Sequence, residues 1–143
     1  MKRAGYAAFL ATLIIGARSA ADAPPDRYMI DTTQVTDRRT GLIWQKEPNA
    51  STYTWDQAAT YCRGLRLAGS SGFRVPTLKE LLTLMDPTQS RPAIDSKAFP
   101  NTPAEWFWTA SNRVSLGPAA VNFASGVSAF FRTTDPMRVR CVR

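Results

Sequence analysis

Behind Thr54, apolar residues fall at Trp55, Ala58, Ala59, Cys62 and Leu65, a three-and-four spacing that lays one stripe along a helix. Thr54 and Gln57 occupy the two positions of a capping box, where a hydroxyl and a side-chain carbonyl satisfy amide donors that the first turn leaves free. The helix is predicted to stop at Gly64 or Gly69, with Cys62 on its buried stripe. Thr77 and Glu80 repeat the signature and open a second helix, with Leu78, Leu81, Leu82 and Met85 on one face until Asp86-Pro87 ends it. Residues 28–30 and 34–37 read as short strands, 38–41 as a turn in which Gly41 supplies the permissive backbone, and 42–45 as the returning arm of a hairpin. Residues 87–103 hold four of the ten prolines and no periodicity, which predicts a long ordered loop. Residues 106–111, 119–123, 127–132 and 138–142 are again strand-like. Strands, two consecutive helices, a loop and more strands make an α+β layout in which the helices pack on short antiparallel sheets.

Composition narrows the chemistry. The chain has 143 residues, 44% hydrophobic and 20% charged, a balance that fits one folded domain. It contains no His, which removes Ser-His-Asp and Cys-His catalysis and His-ligated metals. Lys2 and Arg3 precede an apolar stretch, 4–17, and then small residues, the pattern of a signal peptide. Cleavage is expected after Ala21, with Ser19 as the alternative. A membrane anchor is the competing reading, but about 14 apolar residues rise only about 21 Å against a hydrocarbon core of about 30 Å. No Cys follows the stretch, which disfavours a lipoprotein. Residues 1–21 are therefore expected to be a signal peptide, 22–35 a lead-in segment and first strand, and 36–143 the domain proper. Without the leader, 15 basic residues face 11 acidic ones, a net +4 too small to imply nucleic acid.

Export to a secreted or periplasmic location also changes the reading of Cys62 and Cys141, since an even count in an oxidising compartment predicts a bridge, here from the first helix to the last strand. A reactive or metal-binding thiol pair is the alternative, although a CxxC spacing is absent.

Several ordered motifs then carry a family resemblance: Thr40-Gly41-Leu42-Ile43-Trp44, Trp55-Asp56-Gln57-Ala58-Ala59-Thr60-Tyr61-Cys62, Phe73-Arg74-Val75-Pro76-Thr77-Leu78-Lys79-Glu80-Leu81, Pro92-Ala93-Ile94-Asp95, Phe99-Pro100-Asn101, Trp108-Thr109-Ala110-Ser111 and Val139-Arg140-Cys141-Val142-Arg143. Over 36–143 the chain resembles the Lcl C-terminal domain family, with Phe73 where many members have Trp and Val75 where Leu is common. The resemblance implies a C-type-lectin-like fold, similar also to formylglycine-generating enzymes, and a binding role, since the namesake is a trimeric, collagen-like bacterial adhesin whose C-terminal domain binds sulfated polysaccharides. This chain has no Gly-x-y tract to build such a stalk. A generating-enzyme activity needs reactive cysteines, and a bridge would consume both, so no catalytic residue is expected.

Candidate binding residues follow. Arg132, Arg138, Arg140 and Arg143 lie in the last two strand-like segments, and alternation sets Arg138 and Arg140 opposite Met137, Val139 and Cys141. Guanidinium forks suit sulfate, phosphate and carboxylate, so Arg132, Arg138 and Arg140 make a candidate stripe for an anionic glycan; a plainly solvated strand face is the alternative. One of Phe130 and Phe131 is expected to be exposed beside them. Arg74 and Glu80 are expected to pair, either structurally or facing a ligand. Glu47-Pro48-Asn49 spells the sugar-binding tripeptide of calcium-dependent lectins but precedes the first helix, and Asp86, Asp95 and Glu105 are too scattered for a six- to eight-oxygen cage, so no cofactor and no calcium are expected. The expected function is a non-catalytic exported module for an anionic polysaccharide or a surface protein, with a structural or protein-interaction domain as the alternative and a cofactor-free enzyme as a remote one.

Overall fold

A computed structural model describes residues 26–143; the expected signal peptide and the start of the lead-in lie outside the described residues. Three short strands, β1 (Tyr28–Ile30), β2 (Gln34–Asp37) and β3 (Ile43–Gln45), form one antiparallel sheet in that order. Val35 pairs with Trp44, and both are fully buried. The turn between β2 and β3 closes when the Thr40 and Gly41 amides donate to the Asp37 carbonyl, which needs the positive φ of 75° that Gly41 supplies. Helix α1 (Trp55–Gly64) and helix α2 (Leu78–Leu82) each begin with the capping box expected from Thr54/Gln57 and Thr77/Glu80. The second sheet is β4 (Trp106–Arg113), β5 (Gly117–Asn122) and β6 (Ser128–Phe130), again antiparallel.

The pairs Phe107–Val121 and Trp108–Ala120 explain how this sheet organises the interior. Alternation sends Phe107 and Val121 into one core cluster, with Val35, Trp44, Leu81, Ile94 and Phe99, and Trp108 and Ala120 into another, with Ala58, Cys62, Phe73, Val139 and Cys141. Both faces are therefore buried: Leu81 of α2 lies in the first cluster, and Ala58 and Cys62 of α1 lie in the second. Between Trp108 and Asn112 the register breaks, and the freed groups find other partners. Ala110 donates to the Pro76 carbonyl, the Thr109 carbonyl accepts from the Trp55 indole at 2.9 Å, and the Thr109 hydroxyl donates to Ala119.

Cys62 and Cys141 are bonded across 79 residues of sequence, joining α1 to the C-terminal end as expected. Two expectations need correction. Residues 138–142 do not form a regular strand but cross the molecule through single bridges, Trp44–Val142 and Arg74–Val142 antiparallel and Phe107–Arg138 parallel, which tie the two sheets together. Leu82 does not share the buried face of α2. Thr83, Leu84 and Met85 bond back three residues instead of four, and this tighter winding turns Leu84 (1% exposed) inward and leaves Leu82 (37%) outside. The long loop is ordered by its own apolar insertions: Ile94, Ala98 and Phe99 are buried, and Ala93 donates to the Phe123 carbonyl at 2.7 Å.

Arg74 and Glu80 pair through two hydrogen bonds of 2.8 and 2.7 Å, and Glu80 also accepts from the Thr77 amide. The guanidinium, and then the helix-start donors, hold the Glu80 carboxyl down from 4.5 to about 2. Since it titrates lower in the folded chain than in the unfolded one, its contribution is complete above about pH 4.5 and is lost as pH falls from there towards 2. With Arg74 47% exposed, solvent screening limits the effect to about 1 kcal/mol or less. Stability measured from pH 6 down to about pH 2 is expected to fall less steeply in Glu80→Gln than in the parent; parallel curves would remove the pair from the account.

Candidate ligand-binding surface

The four arginines of the expected stripe do not lie together. Arg140 is fully buried, a correction to its expected place on an outward face. The alternation argument fails because residues 137–142 run between two sheets, and Met137, Val139, Cys141 and Val142 are buried as well. Its guanidinium donates to the Gln45 and Lys46 carbonyls at 2.7 and 2.5 Å and to the Thr102 hydroxyl at 2.6 Å, and it lies 4.9 Å from the centre of the Phe99 ring. Burial pushes its pKa down to about 9, so it stays protonated at neutral pH. Arg138 is committed too, to Glu105 at 2.8 Å and to the Ala50 carbonyl. Arg143 lies over Phe73 and reaches Ser70 at 3.4 Å.

Arg132 and Phe130 do come together. Phe131 turns inward, with ring centres 4.7 Å from Trp106 and 6.4 Å from Trp108, so the neighbouring Phe130 faces the other way. Leu116, Pro118, Phe130, Arg132 and Asp135, together with part of Phe131, border a shallow hollow. Arg113, a residue that the sequence pattern did not single out, stands next to it with its guanidinium 5.3 Å from the Phe130 ring centre. Its place follows from the register: Arg113 pairs with Gly117, and the Phe131 amide donates to the Pro118 carbonyl, so the β4–β5 turn stands beside the end of β6. A Cβ on Gly117 would sit 2.3 Å from the Phe131 carbonyl oxygen, so glycine is what permits this approach. Among the described residues no carboxylate forms an ion pair with Arg113 or Arg132; the nearby Asp135 accepts the Arg132 amide at 3.0 Å.

A sequence-family comparison matches the Lcl C-terminal domain over residues 33–143. The chain belongs to that family. A comparison with curated proteins finds no match.

The acids weighed as calcium ligands are locally engaged. Asp86 accepts from the Thr88 amide and hydroxyl, Asp95 from the Lys97 and Ala98 amides, Glu105 pairs with Arg138, and Glu47 accepts from Asn101. Among the described residues no group of three or more acids or cysteines is placed to hold a metal ion. Nor, among them, is any helix long and apolar enough to cross a membrane.

Proposed function

We propose that this domain is an exported, non-catalytic binding module and that Arg113, over the Phe130 ring, and Arg132, which lines the same hollow as Phe130, hold an anionic polysaccharide. The observation that carries the reading is the pair of guanidiniums without carboxylate partners near a half-buried aromatic ring, since planar forks grip sulfate or carboxylate groups. The family resemblance to a domain that binds sulfated polysaccharides supports the ligand class. The Cys62–Cys141 bridge supports an oxidising compartment and leaves neither sulfur as a nucleophile, which supports the non-catalytic reading.

One observation favours a protein partner instead: Val114 is fully exposed, and Leu116 (52%) stands with it on the turn that edges the hollow. Immobilised sulfated, carboxylated and uncharged polymers separate the two readings. Sulfated and carboxylated polymers are expected to retain the protein at low salt and to lose about tenfold in affinity by 0.5 M, as screening shortens the reach of exposed charges. No retention on any anionic polymer at low salt would transfer the surface to a protein partner.

A further inference from the structure

A second hollow, at the start of α1, contains a different set of groups. Thr52, Tyr53, Asp56, Gln57, Thr60 and Tyr61 line it, and the two tyrosine rings are stacked with centres 4.9 Å apart and planes 24° from parallel. The Tyr53 backbone and the Tyr61 hydroxyl are held by bonds made elsewhere. The Tyr53 amide and carbonyl pair with Met137, and that carbonyl also accepts from the Trp108 indole at 2.7 Å. The Tyr61 hydroxyl accepts from Gln45 Nε2 at 2.9 Å, and Gln45 in turn accepts from the Cys141 amide. The platform is thus fixed before any ligand arrives, and little ordering cost remains for binding.

The rim mixes donors and acceptors. Among the described residues, the Asp56 carboxylate and the Thr52 hydroxyl have no hydrogen-bond partner; Gln57 spends its Oε1 on the Thr54 amide and keeps its Nε2 hydrogens, and Tyr61, acting as acceptor towards Gln45, keeps its own proton. An ammonium or guanidinium ligand could use only the acceptors, and Arg63, bonded to Thr60 at 3.3 Å, sets a like charge at one end. An anion would meet Asp56. A sugar hydroxyl both donates and accepts, so a polyol ring with an apolar face fits the whole set.

We infer that the Tyr53–Tyr61 hollow is a calcium-independent subsite for an uncharged pyranose ring, separate from the Arg113–Phe130–Arg132 surface. Its test is independent of the anion reading because the probes carry no charge. Uncharged gluco-, manno- and galacto-oligosaccharides are titrated into the ¹⁵N-labelled protein in the presence of a chelator, at low and at 0.5 M salt. At least one is expected to move the Thr52, Asp56, Gln57 and Thr60 amides saturably and equally at both salt concentrations. Tyr53→Ala is expected to weaken that binding about three- to tenfold, the worth of one aromatic contact. Thr52→Val, which leaves both rings and their bonds in place, is expected to weaken it about twofold, as loss of a hydrogen bond to an uncharged group would. No saturable shift from any oligosaccharide overturns the proposal, as do shifts confined to residues of β5 and β6, or shifts produced by choline or spermidine and not by sugars.

Discussion

Replacing Cys62 and Cys141 together by Ala is expected to cost about 4 to 5 kcal/mol, most of the stability of a domain this size. The bridge closes 79 residues of sequence, and a loop of that length removes this much denatured-state freedom in the chain-entropy account. Two features of the folded state add to the effect. Both sulfurs are fully buried against Phe73, Trp108 and Val139, so truncation leaves space that the core does not refill. The segment that Cys141 anchors pairs with β3, Arg74 and β4 through single bridges instead of a continuous ladder, so the bridge is the one covalent tie between it and α1. Urea unfolding of the double variant is expected to show a large fall in midpoint, and the native parent is expected to resist thiol alkylation without a reductant. A midpoint within error of the parent would mean that the bridge contributes little to folding.

Arg140→Met is expected to destabilise by about 3 to 5 kcal/mol even though the new side chain is apolar and of similar length. The arginine joins three parts of the fold: the end of β3 through the Gln45 and Lys46 carbonyls, the long loop through Thr102 and Phe99, and α1 through its neighbour Cys141. Methionine would fill much of the volume and leave those acceptors buried without a donor, each at about 1 to 3 kcal/mol. Arg140→Lys is expected to recover only part of the loss, because one ammonium cannot reproduce a fork that reaches both carbonyls and the hydroxyl. If Arg140→Met unfolds at the parent's denaturant concentration, the guanidinium is not a structural pin.

These two residues show what the linear pattern carries and what it does not. Cys62 was legible because a capped amphipathic helix fixes which face it is on, and the even cysteine count in a chain expected to be exported named its partner. Arg140 was misplaced because alternation assumes a strand with one wet face, whereas residues 139–142 are all buried where the segment crosses between two sheets. The caps at Thr54 and Thr77 were readable because they are local, depending on residues three apart. Arg113 was not, because its meaning comes from the β4–β5–β6 register that sets it over Phe130, and no local signal announces that register. The buried Phe99 was hidden in a proline-rich loop for the same reason: its periodicity is that of no regular element.

The central claim, that a specific surface and not net charge holds an anionic glycan, is tested most directly by a matched pair of double variants. Arg113→Gln with Arg132→Gln removes two charges at and beside the hollow, and Arg39→Gln with Arg66→Gln removes two from exposed positions elsewhere. Net charge falls equally in both, so diffuse attraction predicts equal losses. Affinity for a sulfated polysaccharide, measured at one fixed low salt concentration, is expected to fall at least about tenfold in the first variant and no more than about twofold in the second, the difference between lost bidentate contacts and a weakened long-range field. Equal losses in the two variants would contradict the account.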